Sequence, residues 1–282
     1  MPTAVIDGIA TRYDVLGSGP PLLMLSPGGF DATREKWRTQ GIYARIKLLD
    51  HLPRQFTCIT FDRRETGESG GRVEALGWRL YAAQAKGLLD HLRIARAHIL
   101  GACMGVPVST TFSVAYPEAV DRLILYWPVG GTHYRLQGHA RFAEHMAYAK
   151  ANGLDGVVAL AGSGDKSFGA DPRGGPWVSV IRRDPAFAEA YARLDPDRYQ
   201  LLLALTARTM FDRDTAPGAE PEDLLRLAVR SLIVPGGADT THAVSAARYL
   251  QECLAGSEYW DVPAGEQTEA MVAPRLASFL TS

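Results

Sequence analysis

The stretch His98-Ile99-Leu100-Gly101-Ala102-Cys103-Met104-Gly105-Val106 limits what this chain can fold into more than any other. An apolar run suited to a buried strand ends at Gly101, one reactive side chain follows at Cys103, and a helical pattern begins at once. A Gly-x-nucleophile-x-Gly pattern suits a sharp strand-to-helix turn that lifts the central side chain above a sheet. Gly101 and Gly105 let strand and helix pass closely, where a Cβ would clash. Pro107 falls in the first helical turn, where a missing N–H costs little. The nucleophile position holds a thiol, where a serine hydroxyl is the commoner choice.

Taken in order, the chain alternates strand and helix patterns. Residues 3–16 read as two short strands joined at Asp7-Gly8, and Leu22-Leu23-Met24-Leu25 as a buried strand. Ser26-Pro27-Gly28-Gly29-Phe30 follows, a glycine-rich loop whose free N–H groups can face an anion. A helical stretch over Tyr43–Leu52 leads to a strand at Phe56–Phe61, which ends in Asp62-Arg63-Arg64-Glu65-Thr66-Gly67-Glu68-Ser69. Leu76, Leu80, Leu88 and Leu92 recur at helical spacing before the strand at His98. The helix after Cys103 runs to about Tyr116, where Pro117 stops it, and Val120–Tyr126 is the next strand.

From about His133 to Asp223 only helical patterns occur. The sheet pattern then resumes at Ser231–Val234, with a helix from about Thr241 to Leu254, a strand at Glu258–Val262 and a last helix opened by Pro274. This rhythm predicts an α/β fold with a doubly wound, mostly parallel sheet. Residues 1–131 and 226–282 form its core, and 132–225 form an inserted helical cap.

A formal net charge of −1 gives no basic field for nucleic acid or an anionic membrane, and no apolar run is long enough to span a bilayer. The N-terminus lacks the pattern of a signal peptide, and Cys58, Cys103 and Cys253 lack the spacing of a disulfide framework or a zinc site. The expectation is a cytoplasmic protein with a small-molecule substrate and neither metal nor organic cofactor; a homodimer stays open.

The order of these pieces resembles the α/β-hydrolase fold family over nearly the whole chain. Asp62-x-Arg64-x-x-Gly67-x-Ser69 is similar to that family's Asp-x-Arg-Gly-x-Gly-x-Ser turn, with Glu65 replacing a glycine. Ser26-Pro27-Gly28-Gly29 stands where the family's His-Gly-x oxyanion loop occurs. The resemblance implies a nucleophile, an acid and a histidine in that chain order. Cys103 fills the first position and Asp239 the second. The third falls in Val262-Pro263-Ala264-Gly265-Glu266-Gln267-Thr268, where Glu266 occupies the base position and Gln267 would do so with a one-residue shift. No histidine follows His242.

These departures make joint chemical sense if Glu266 is the base for Cys103, because a thiol pKa lies about 4 units from that of a free glutamate (~8.5 against ~4.3), far closer than a serine hydroxyl's. The N–H groups of Met104 and of Gly28, Gly29 or Phe30 would form the oxyanion hole. His242 is the alternative base, although its place near the start of a helix favours a structural role; His133, His139 and His145 lie in or beside the cap. Arg173, Arg182 and Arg183 of the cap are candidates to hold a substrate carboxylate. The expected activity is hydrolysis of a small ester, thioester or related acyl compound through a Cys103 acyl-enzyme. The alternatives are a lyase or hydratase on the same fold, or a ligand-binding protein with an unreactive Cys103.

Overall fold

The computed structural model describes residues 2–282. Eight strands form one sheet: β1 (Thr3–Ile6), β2 (Ile9–Leu16), β3 (Pro21–Leu25), β4 (Thr57–Phe61), β5 (Ala97–Ala102), β6 (Val120–Tyr126), β7 (Ser231–Val234) and β8 (Glu258–Tyr259). Their spatial order is β1-β2-β4-β3-β5-β6-β7-β8. The β1–β2 and β2–β4 pairs are antiparallel and every later pair is parallel. The β1–β2 hairpin turns at Asp7-Gly8, both with positive φ, as a tight two-residue turn between twisted strands requires.

β5 lies in the middle of the sheet with all six residues buried, the pattern of a strand covered by helices on both faces. Its C-terminal end meets the helix Gly105–Ala115 at very short range. A Cβ on Gly101 would stand 2.4 Å from Ser109 Oγ, and one on Gly105 would stand 2.1 Å from the Leu25 carbonyl oxygen. Both glycines are therefore sterically required. Neighbouring strand ends carry the remaining loops, so the topology gathers the segments after β3, β5, β6 and β7 at one edge of the sheet.

The Asp62–Ser69 turn is a structural knot. The Asp62 carboxylate accepts the Arg34 N–H (2.9 Å), the Arg34 Nη1 (2.9 Å) and the Glu68 N–H (2.8 Å), while Ser69 Oγ donates to the Asp62 carbonyl (2.7 Å). Glu65, where the resembling motif has glycine, adopts φ = 68°. Its left-handed backbone explains that preference, and the ion pair of Glu65 Oε1 with Arg64 Nε (2.9 Å) offsets the strain.

Between β6 and β7 the chain forms only helices: Thr132–Gly162 (broken at Gly153, φ = 70°), Val178–Arg183, Pro185–Ala192, Pro196–Met210 and Pro221–Arg226. Phe142, Phe168 and Phe211 of this insertion pack around Phe30 of the loop after β3, with ring centroids 5.0–6.3 Å apart. No helix of the described residues is long and apolar enough to cross a membrane.

Three boundaries differ from the sequence expectation. The helix expected from Thr241 starts at Val244, β8 stops at Tyr259, and Pro274 lies inside the last helix, Glu269–Thr281, rather than at its start. In the first case Asp239 accepts the N–H groups of Thr241 and His242 (both 2.8 Å), a local turn that competes with helix.

Candidate active site

Cys103 sits at the tip of the turn between β5 and the helix Gly105–Ala115, with φ = 51°. Such a backbone is unfavourable for a residue with a Cβ and is held here by two bonds. Its N–H donates to the Tyr126 carbonyl (3.1 Å) and its carbonyl accepts from the Val106 N–H (3.0 Å). Cys103 is buried, 6% exposed. Met104, just before the helix, has an N–H with no carbonyl one turn earlier to meet.

The loop after β3 passes beside this elbow. A Cβ on Gly29 would come within 4.0 Å of Met104 Sδ. The Gly28 carbonyl accepts from the Asp31 N–H (2.9 Å), and the Gly29 carbonyl accepts from Arg63 Nη2 (2.7 Å). Because a trans peptide sets C=O and N–H on opposite sides, the Arg63 bond turns the Phe30 N–H away from Arg63. Gly28, Gly29 and Met104 thus stand as neighbours around the elbow, and the Gly29–Phe30 peptide has a fixed orientation.

Asp239 and His242 lie together on the loop that follows β7. The imidazole Nδ1 donates to both Asp239 oxygens (3.0 and 2.9 Å), which leaves Nε2 as the nitrogen able to exchange a proton with a neighbour. Nε2 is buried without a formed hydrogen bond, and the neighbour that acts on it electrostatically is the Cys103 sulfur. Burial opposes a charge on the His242 ring, but Cys103 and Asp239 outweigh it and raise the pKa to about 9. Burial also pushes the Asp239 carboxyl pKa up, yet the His242 ring and the N–H groups of His242 and Thr241 hold it below the usual range. The ring packs edge-on against Trp127 at 5.3 Å. A Cβ on Gly236 would stand 2.6 Å from the His242 Cβ, so glycine there lets the imidazole approach.

Glu266 is exposed, and its N–H closes a turn onto the Pro263 carbonyl (2.9 Å). Its side chain has no hydrogen bond or ion pair among the described residues, whereas the His242 ring interacts electrostatically with Cys103. Successive residues of a tight turn point to opposite sides, and here the inward one is Gln267, fully buried. Gln267 Oε1 accepts from Tyr126 Oη (2.5 Å) and Trp127 Nε1 (2.8 Å), while its Nε2 donates to the carbonyls of Pro235 (3.1 Å) and Val262 (3.0 Å). An amide is required for this fourfold bridge, since it alone presents two donors and two acceptor sites at once.

The cap histidines do not serve Cys103. His139 Nε2 bonds the Phe211 carbonyl (2.9 Å), His145 is enclosed between the Arg173 carbonyl (2.9 Å) and Tyr199 Oη (2.6 Å), and His133 is exposed. Two tyrosines also act on the elbow residue: Tyr134, a pocket-wall candidate from the sequence, and Tyr43, for which the sequence suggested no site role. Tyr43 and Tyr134 are buried with unpartnered hydroxyl groups and interact electrostatically with Cys103. Burial first, then Cys103, pushes both phenol pKa values upward, so each keeps its proton and can only donate or accept a hydrogen bond as a neutral group.

The family model described as alpha/beta hydrolase fold matches residues 21–163, half of the chain, from β3 into the first helix of the insertion. The chain belongs to the α/β-hydrolase fold family. An uncharacterised hydrolase of Bacillus subtilis (strain 168), YraK, is 27% identical over 129 residues, which cover 45% of this chain and 44% of that protein. An uncharacterised Mycobacterium bovis protein, Mb2734, is 28% identical over 199 residues, covering 67% of this chain and 55% of its own length. The chain thus spans about half the length of these curated relatives. The crystal structure of a hydrolase from Pseudomonas aeruginosa PA01 superposes with a TM-score of 0.66 at 21% identity, over 100% of this chain and 98% of that one. At that identity the likeness is one of α/β-hydrolase fold.

Proposed function

We propose that this α/β-hydrolase-fold chain is a cysteine-dependent acyl hydrolase, with Cys103 as nucleophile, His242 as base and Asp239 as its orienting acid. The observation that carries the reading is the Asp239–His242 hydrogen bond: the ring keeps a buried, unbonded Nε2 and feels Cys103 electrostatically, beside an elbow where Cys103 adopts a left-handed backbone. The sulfur attacks the carbonyl carbon of a small ester or thioester, forming an S–C bond while the oxygen takes the electron pair. N–H groups of Met104 and of the Gly28-Gly29-Phe30 loop would hold that oxyanion. His242, carrying the proton, gives it to the leaving oxygen or sulfur as that bond breaks, and the acyl group stays on Cys103 as a thioester. His242 then takes a proton from water, whose oxygen attacks the thioester carbon; the acid leaves and the thiol regains the proton. The helical insertion, with Phe142, Phe168 and Phe211 over Phe30, acts as the cap that shields this thioester.

p-Nitrophenyl acetate turnover and mass spectrometry of the acylated protein test the reading. The expected result is an acetyl adduct on Cys103, with turnover lost in Cys103→Ala and severely reduced in His242→Gln. Turnover that survives Cys103→Ala overturns it. Turnover that survives His242→Gln but fails in Glu266→Gln would return the base to Glu266.

A further inference from the structure

Two arginines, Arg63 beside the Gly29 loop and Arg141 in the insertion, have no carboxylate to neutralise them among the described residues. Arg63 is 6% exposed; its Nη2 holds the Gly29 carbonyl, its guanidinium lies 4.2 Å from the centre of the Tyr81 ring, and its Nε is buried without a partner. Arg141, on the first helix of the insertion, also buries an unpartnered Nε. Among the described residues no carboxylate lies within ion-pair distance of either guanidinium. Glu65, which interacts with Arg63 electrostatically, is bonded to Arg64 (2.9 Å); Glu144, which acts on Arg141, is exposed. The buried Tyr134 hydroxyl also lacks a partner, and Cys103, Arg63, Arg141 and Tyr81 all act on it electrostatically.

The arginines that the sequence singled out are already occupied. Arg173 bonds both oxygens of Asp171 (2.9 and 2.7 Å), Arg182 bonds the carbonyls of Ala161 and Lys166 (both 3.0 Å), and Arg183 bonds the Ser69 carbonyl (2.6 Å). A guanidinium taken out of water without an anion is costly, so the buried Arg63 and the half-buried Arg141, each with an unpartnered buried Nε, leave a place for a negative charge near the elbow.

We propose that the acyl compound attacked by Cys103 carries a carboxylate, received by Arg63 and Arg141 with the Tyr134 hydroxyl as a third donor. Planar carboxylates match the forked donors of guanidinium groups, and the neighbouring Phe142 and Phe211 rings take the apolar part of the molecule. This assignment rests on Cys103 being the acyl nucleophile, but its charge preference can be read without turnover.

Iodoacetate and iodoacetamide are nearly isosteric and differ in one negative charge; each alkylates sulfur with loss of iodide. Peptide mapping after alkylation gives the rate at Cys103 for each reagent, separately from Cys58 and Cys253. Relative to free cysteine under the same conditions, Cys103 is expected to favour iodoacetate by about tenfold, the scale of a charge-assisted bond in a desolvated site. Arg141→Met removes this preference, and Arg141→Lys restores part of it, whereas a loss of fold would slow both reagents or speed both. A Cys103 ratio equal to that of free cysteine, or a preference unchanged in Arg141→Met, overturns the carboxylate site. If the preference is present and no ester is turned over, the hydrolase reading fails alone; if neutral esters are turned over without the preference, the carboxylate site fails alone. A Cys103 that neither reagent labels overturns both.

Discussion

His242 and Asp239 are three residues apart, and their pairing depends on a turn that a propensity argument misses. The Asp239 carboxylate binds two backbone N–H groups and the imidazole at once, which stops helix formation before Val244 and turns the ring toward the elbow. In the sequence, Asp239 followed by two small polar residues and a histidine was the available signal. The helical pattern continuing from Thr241 obscured it. In the turn after β8 the inward residue is Gln267 and Glu266 is exposed: a one-residue register in a turn decides inside from outside, and apolar pattern does not resolve it. Substituting His242 by Gln is expected to lower kcat/KM by roughly 10²–10⁴, as removal of a general acid–base does, while Glu266→Gln leaves it within about twofold. The pH profile carries the sign of the His242 shift. Its pKa is raised to about 9, so the proton needed by the leaving group is present below that value and lost as pH rises through it. Stopped-flow or steady-state rates should therefore fall above about pH 9; an alkaline limb near the free-imidazole value would count against the Cys103–His242 contact.

The strands that carry the site were well marked because β3, β5, β6 and β7 are short, apolar and bounded by turn residues. Their loops were less legible, since loop paths depend on contacts between segments far apart in sequence. Gly236 is an example: its need for glycine arises from the His242 side chain six residues later. Gly236→Ala should displace the imidazole and reduce kcat/KM by about 10²-fold, a loss typical of small misplacements, with thermal unfolding changed far less than activity. Gln267 joins β6 to the segments after β7 and β8. Gln267→Leu would bury the Tyr126 hydroxyl and Trp127 indole N–H without their acceptor, and is expected to cost roughly 2–5 kcal/mol in urea unfolding. An unchanged urea midpoint would show that the bridge is not needed for the fold.

Across the whole molecule, the insertion contains a polar chain sealed from solvent: the Arg173 carbonyl, His145, Tyr199 and Tyr191. Burial, partly opposed by the Arg173 carbonyl, lowers the His145 pKa to about 4, so the ring is neutral at pH 7. The unfolded chain binds this proton more readily, and stability should fall as pH drops below about 6.5, reaching a loss of order 3 kcal/mol near pH 4. Urea unfolding at pH 7 and pH 4 checks this, and His145→Gln should flatten the difference; an equal slope in both proteins would place the acid sensitivity elsewhere. That Asp239 and His242 share one short loop also bears on how the molecule would tolerate motion and divergence. A displacement of residues 236–243 would carry Asp239 and His242 together, so on the proposed mechanism their hydrogen bond would stay intact while the distance from the ring to the Cys103 sulfur varies. On that mechanism the segment after β8 would need to keep only the Gln267 clasp.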